Sequence, residues 1–269
     1  QRTPAHLVPF VVFMLFLGVP DLLMSIGVLP ERVPSQQVEN AAPTEGEESQ
    51  NQGTDVPRSS EDWYVREPKL WLFPLQTIVT ALVLAWYWKQ YEFRPHSGWL
   101  LAAAAGTLGI VVWIAPGFLF QSFELTEGWW KYLGLADRTD GFDPSVAKQF
   151  GGGWYWTTVA FRFARLVLVV PLVEEIFWRG FLMRFVADLD GDYWQVPFGM
   201  FHKRSLVVVT AMFVLVHAPV DYVGATIYGL MAYGIAVKTK SLSACVLMHA
   251  VANLLLGCYV MATQQWGYW

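Results

Sequence analysis

Uninterrupted apolar stretches such as "KLWLFPLQTIVTALVLAWYWKQY" (69–91) and residues 98–120 constrain this chain more than any motif does. Each reaches the roughly 17–25 residues that a helix needs to cross a bilayer. Hydrocarbon offers backbone groups no partners, so only helices and closed β-barrels span it. A barrel would read as alternating segments of about ten residues, and the sequence has none. Charged residues make up 15% of the chain, against about a quarter in soluble domains. The expectation is an all-α, polytopic transmembrane bundle of about seven to eight helices.

Three regions follow along the chain. Residues 1–30 contain "HLVPFVVFMLFLGVPDLLMSIGVLP", too long for a signal-peptide core and without a small-x-small cleavage site. It reads as an N-terminal membrane helix that Pro20-Asp21 can break. Residues 31–68 are acidic and rich in Pro, Ser and Gly, a composition that cannot bury enough apolar area to order itself. They read as a flexible linker. Residues 69–269 form the membrane core, with the motif-bearing part at 171–256. Trp and Tyr flank the span at 69–91, as interfacial belts do. Trp129 and Trp130 beside Lys131 predict a segment lying on the membrane, and Gly151–Gly153 predicts a hinge. Residues 155–187 are one long helix or two joined at Pro171. Three further helices are predicted near 205–218, 221–237 and 241–262.

Positive loops mark the cytoplasmic side. Lys89, Arg94, Lys203, Arg204, Lys238 and Lys240 belong there by that rule, with the acidic linker outside. No basic patch of the kind nucleic acid requires is present, so the chain is expected to have no nucleic-acid partner. Cys245 and Cys258 fit no metal-ligand spacing and read as buried thiols.

Against this background the stretch "PLVEEIFWRGF" (171–181) stands out, because ionisable groups inside membrane segments cost several kcal/mol, ~2.5–3.5 by insertion scales. Glu175 and Arg179 lie four apart, share a helix face and can pair. Glu174 points about 100° away and stays free. Two adjacent carboxylates repel, a form of tuning that suits a general base. His249 and Asn253 are also four apart, and their bland reading is a core histidine bonded to an amide. His217 follows Phe213 by four near a helix end marked by Pro219. One shared polar site explains all of these groups with a single cause.

No serine or cysteine has an adjacent base; Ser241 and Ser243 sit at a helix start, where capping explains them. The simplest chemistry is then an activated water, deprotonated and oriented by Glu174 with His217. His249 and Asn253 would donate to the oxyanion formed on an attacked carbonyl. Glu174, His217 and His249 could instead hold a divalent metal such as zinc. The set favours metal-free hydrolysis, since H-E-x-x-H is absent. Arg162, Arg165 and Arg184 read as arginines snorkelling to headgroups. The sharper reading makes Arg162 and Arg165 the holders of a substrate's terminal carboxylate. Phe177 and Trp178 line a substrate groove or face lipid.

The ordered set Glu174-Glu175-x-x-x-Arg179, Phe213-x-x-x-His217 and His249-x-x-x-Asn253 resembles the CPBP intramembrane proteases, the CAAX prenyl protease and Abi group. Each motif alone is weak, and their order across about 80 residues is specific. The resemblance implies a membrane endopeptidase that cleaves near the C-terminus of a membrane-associated protein or peptide. Glu174 and His217 then activate water, with His249 and Asn253 at the oxyanion and Glu175 within the same motif. "KLWLFPLQTIVTALVLAWYW" and "GFDPS" are more loosely similar to an exosortase-associated bacterial subgroup. That likeness implies a bacterial inner membrane and an exosortase-type sorting partner. The rival reading is a catalytically idle binding or immunity protein of the same fold. An idle copy, however, could lose any of the four polar groups.

Overall fold

The computed structural model describes residues 2–26, 67–124, 126, 128–136, 138 and 141–269; most of the acidic linker lies outside them. The described residues form helices and loops, with no strand among them. The helices are α1 (Arg2–Ser25), α2 (Lys69–Trp86), α3 (Trp99–Ser122), α4 (152–187), α5 (Lys203–Leu215), α6 (Tyr222–Thr239) and α7 (Leu242–Thr263). Five segments are long and apolar enough to cross a membrane: Arg2–Pro20, Lys69–Trp86, Trp99–Ser122, Pro219–Thr239 and Leu242–Thr263. Their outer faces carry leucines and tryptophans such as Leu100 (90% exposed) and Trp86 (84% exposed). A continuous apolar exterior of this kind needs lipid around it. The protein is an integral membrane protein.

α4 settles the ambiguity at Pro171 in favour of one helix. Its α-helical parts Gly152–Ala164, Val170–Glu175 and Met183–Ala187 are joined by π-helical turns at Arg165–Val169 and Ile176–Leu182. Proline inside a helix removes one N–H and crowds the carbonyl four residues back. Here that carbonyl, on Val167, lies in the first π turn, whose wider winding takes up the misfit. α4 runs roughly 50 Å at about 1.5 Å per residue, longer than the roughly 30 Å hydrocarbon core. Pro20 does not break α1 either, for the helix continues through it to Ser25. The predicted glycine hinge is in part a helix start: Gly151, at φ +111°, precedes α4, while Gly152 and Gly153 are helical.

The core forms where α1, α5, α6 and α7 pack on the middle of α4. Ile176, Trp178, Phe213 and Met248 are almost fully buried there. Phe10 of α1 stacks on Phe177 at 4.0 Å, and Trp178 meets Phe213 edge-on at 5.8 Å. Phe177 and Trp178 therefore neither line a groove nor face lipid; they are packing residues. α3 lies close against α7 through small residues, as membrane helices favour. A Cβ placed on Gly106 would fall 2.4 Å from the Met248 carbonyl oxygen. Cys245 is buried as expected, whereas Cys258 is exposed on α7.

The loops gather at two ends. At one, Lys240 Nζ donates to the Gly199 carbonyl (2.6 Å) and Arg204 to those of Val186 (2.9 Å) and Ala187 (3.3 Å). Ser97 Oγ donates to Thr239 O (2.9 Å) at the same end. The six lysines and arginines that the sequence assigns to the cytoplasmic side fall in or beside these loops. At the other end Arg138 pairs with Asp221, and Gln265 Nε2 donates to Gln121 Oε1 (3.1 Å). The paired tryptophans Trp129 and Trp130 (rings 4.0 Å apart) are exposed there, on a 3-10 turn.

Candidate active site

The site forms where the middle of α4 meets α7 and the residues following α5. Glu174 and Glu175 end the α-helical stretch Val170–Glu175, and their side chains diverge as the helical angle requires. Glu175 is fully buried. Its Oε1 accepts from Arg179 Nη1 (3.2 Å) and from His249 Nδ1 (2.9 Å). Arg179 reaches on to the Gly229 carbonyl of α6 (3.4 Å). One carboxylate thus ties α4 to α7 and, through its arginine, to α6. Glu174 is half-buried and makes no hydrogen bond to a described residue. It lines a cavity of about 290 Å³ with His217, His249, Asn253, Tyr228, Trp113 and Arg138.

The imidazoles are each held by one nitrogen. His217 Nδ1 lies 2.6 Å from the Phe213 carbonyl oxygen, which can only accept, so Nδ1 carries the hydrogen and Nε2 has the free lone pair. Phe213 and Trp113 flank the ring at 4.6 and 5.4 Å. The Phe213-x-x-x-His217 spacing therefore places a backbone acceptor and an aromatic wall against one ring. His249 donates from Nδ1 to Glu175 and packs against Tyr228 at 5.6 Å. Its Nε2 is left for other partners.

Asn253 does not bond His249, as the simplest reading of their spacing had it. Its Nδ2 donates to the Leu166 carbonyl at 2.8 Å. The first π turn explains this partner. The Val170 N–H bonds the Arg165 carbonyl five residues back. The next carbonyl in that register, on Leu166, would need the N–H of residue 171, which is proline. Asn253 supplies the missing donor with one amide hydrogen and keeps a second.

The structure thus brings Glu174, His217, His249 and Asn253 onto one cavity and sets Glu175 and Arg179 behind it. Glu175 orients His249 and does not line the cavity, so its place is that of a positioning residue. The metal alternative does not fit this arrangement. Among the described residues no three His, Cys, Asp or Glu side chains stand close enough to hold a metal ion.

The arginines depart from the snorkelling expectation. Arg162 is buried under aromatic rings, 4.7 Å from the Phe73 centroid and 5.4 Å from that of Trp269. Arg165 lies over Phe73 (4.5 Å) and Phe13 (5.4 Å). Arg184 is buried as well, 3.6 Å from Glu92. Their heads turn inward because rings and a carboxylate meet them there.

The sequence reading missed Arg138, Tyr228, Tyr268 and Trp269, all of which line the cavity. Nothing in "LADRTDG" separates Arg138 from an ordinary loop charge. Burial, only partly offset by the Arg138 guanidinium, pushes the Tyr268 phenol above its usual range. Tyr268 therefore faces the cavity as a neutral hydroxyl at ordinary pH.

A family model described as "Type II CAAX prenyl endopeptidase Rce1-like" matches residues 154–255. That segment is less than half of the chain and contains all seven motif positions, from Glu174 to Asn253. No curated protein and no solved structure matches the chain.

Proposed function

We propose that this protein is an intramembrane endopeptidase that cleaves membrane-associated proteins or peptides near their C-terminus, using a water activated by Glu174 and His217. One observation carries the reading: groups from α4, from α7 and from the bend after α5, each costly in an apolar bundle, converge on a single cavity. The likeness to prenyl endopeptidases over residues 154–255 supports the same reaction class.

Glu174, without a hydrogen-bond partner among the described residues, takes a proton from the water as it attacks the peptide carbonyl carbon. His217 Nε2 accepts the water's other hydrogen and fixes its approach. The carbonyl oxygen becomes an oxyanion. His249, in its imidazolium form, donates to it from Nε2 while the Glu175 carboxylate balances that charge. The second amide hydrogen of Asn253 adds another donor. Collapse of the tetrahedral intermediate breaks the C–N bond, and Glu174 returns its proton to the leaving amine. No step passes through a metal.

The test compares protein C-termini in membranes from cells expressing the wild type or Glu174→Gln, mapped by mass spectrometry. Truncated C-termini should appear with the wild type alone. Identical C-terminal profiles, with both proteins present and folded, would remove the enzymatic reading and leave a binding protein of the same fold.

A further inference from the structure

Among the described residues, buried N–H donors without acceptors gather at one end of the cavity and behind it. The guanidinium of Arg138 lines it, stacked on Tyr268 at 4.2 Å, with Nη2 2.6 Å from Asp221 Oδ1. Arg138 Nε has no partner among the described residues. Trp269, another lining residue, has a buried Nε1–H that is also unpartnered. Arg162 stacks on the Trp269 ring, is 7% exposed, and leaves Nη1 without an acceptor. Arg165, about one helical turn further along, packs on Phe13 and Phe73, and its Nε has no partner among the described residues.

Buried donors normally find acceptors, and a charged one left without costs most. Arg138 lines the cavity together with the carboxylates of Glu174 and Asp221, and Arg162 and Arg165 lie behind it, outside its lining. Among the described residues only one of these arginines, Arg138, meets a carboxylate, and through a single nitrogen. Among the described residues the balance is an excess of buried N–H groups over acceptors. A guanidinium presents five donors in a planar fork that fits a second carboxylate beside the first. Glu174 and His217 line the same cavity, so a bond attacked there would sit close to whatever anion this end holds.

We propose that the cavity end built by Arg138 and Trp269, backed by Arg162, receives the free C-terminal carboxylate of the substrate, with Arg138 as its principal ligand. This rests on the peptidase reading above and narrows its substrate class to chains with an unblocked C-terminus. The site then measures cleavage from the substrate's end, and an amidated or extended tail is a poor substrate.

The experiment presents full-length protein in lipid nanodiscs with a randomised quenched-fluorescence peptide library, made once with terminal acids and once with terminal amides. Each version is made with and without an S-prenylated cysteine. The acid form should be cleaved with a kcat/KM about 10–100-fold higher, the difference lying mainly in KM. Arg138→Gln should bring the ratio close to one, and Arg138→Lys, which keeps charge and loses the fork, should fall between. Equal cleavage of acid and amide, abolished by Glu174→Gln, would overturn this assignment and leave the peptidase intact. An acid preference that survives in Arg138→Lys undiminished would overturn the role of Arg138. No Glu174-dependent cleavage of either library would overturn both readings. The comparison of acid with amide needs no variant, so misfolding of Arg138→Gln does not protect the proposal.

Discussion

The two ends of the bundle treat their cations differently. At the end formed by residues 87–98, 188–203 and 239–241, Lys240 and Arg204 are spent on backbone carbonyls that terminate helices or loops. Arg2 and Arg184 share Glu92, although Arg184 Nε stays unmatched. At the other end Arg138, Arg162 and Trp269 keep donors that nothing described accepts. One end uses charge to finish the fold, and the other holds charge in reserve beside the cavity. On the proposed function, the contrast separates residues that stabilise from residues that would act, although their amino-acid types are the same.

The sharpest way to break that division is Glu174→Gln. Since Glu174 has no described hydrogen-bond partner, its loss should lower kcat by about 10²–10⁴-fold, the usual worth of a general base. Its unfolding midpoint in detergent should match the wild type. A destabilised Glu174→Gln would mean that the cavity end also holds the fold together. Next in size is Arg179→Ala, which strands Glu175 and should cost about 3–5 kcal/mol of stability. It should lower activity as well, since the Glu175 carboxylate that orients His249 loses its arginine partner. Gly106→Val, at the α3–α7 contact, should cost about 1–3 kcal/mol by overpacking, read by thermal unfolding in lipid. The smallest effect sharpens the closed end: Arg204→Met should lose about 1 kcal/mol and leave kcat/KM unchanged. A drop in kcat/KM there would join the two ends functionally.

How much of this was legible depends on what the sequence expresses locally. The spans were legible because bilayer thickness dictates length. The Glu175–Arg179 pair was legible because both residues sit on one helix. Glu174, His217, His249 and Asn253 could be grouped because each was too costly to explain alone. The Leu166 carbonyl as the partner of Asn253 was out of reach, since it depends on a π turn that hydropathy does not register. Arg138 was also out of reach, because a loop charge is solvated by default and only tertiary packing buries it. Phe177 and Trp178 were misread because a helix buried on all sides looks like one facing lipid. Arg162 and Arg165 were misread because the nearest rings that receive them, Phe73, Phe13 and Trp269, are remote in the chain and meet them only through tertiary packing.

The wide turns of α4 have a consequence for how this helix can change length. A π turn holds one residue more than an ordinary turn, so it stores an insertion in place. Deleting a residue within Arg165–Val169 allows that turn to tighten while Gly152–Ala164 and Val170–Glu175 keep their seats; what is lost is the clasp between Leu166 and Asn253. Deleting one within Gly152–Ala164 offers no such slack and swings the preceding residues by about 100°. Tolerance to shortening should therefore be uneven along this single helix, concentrated where its winding is already loose.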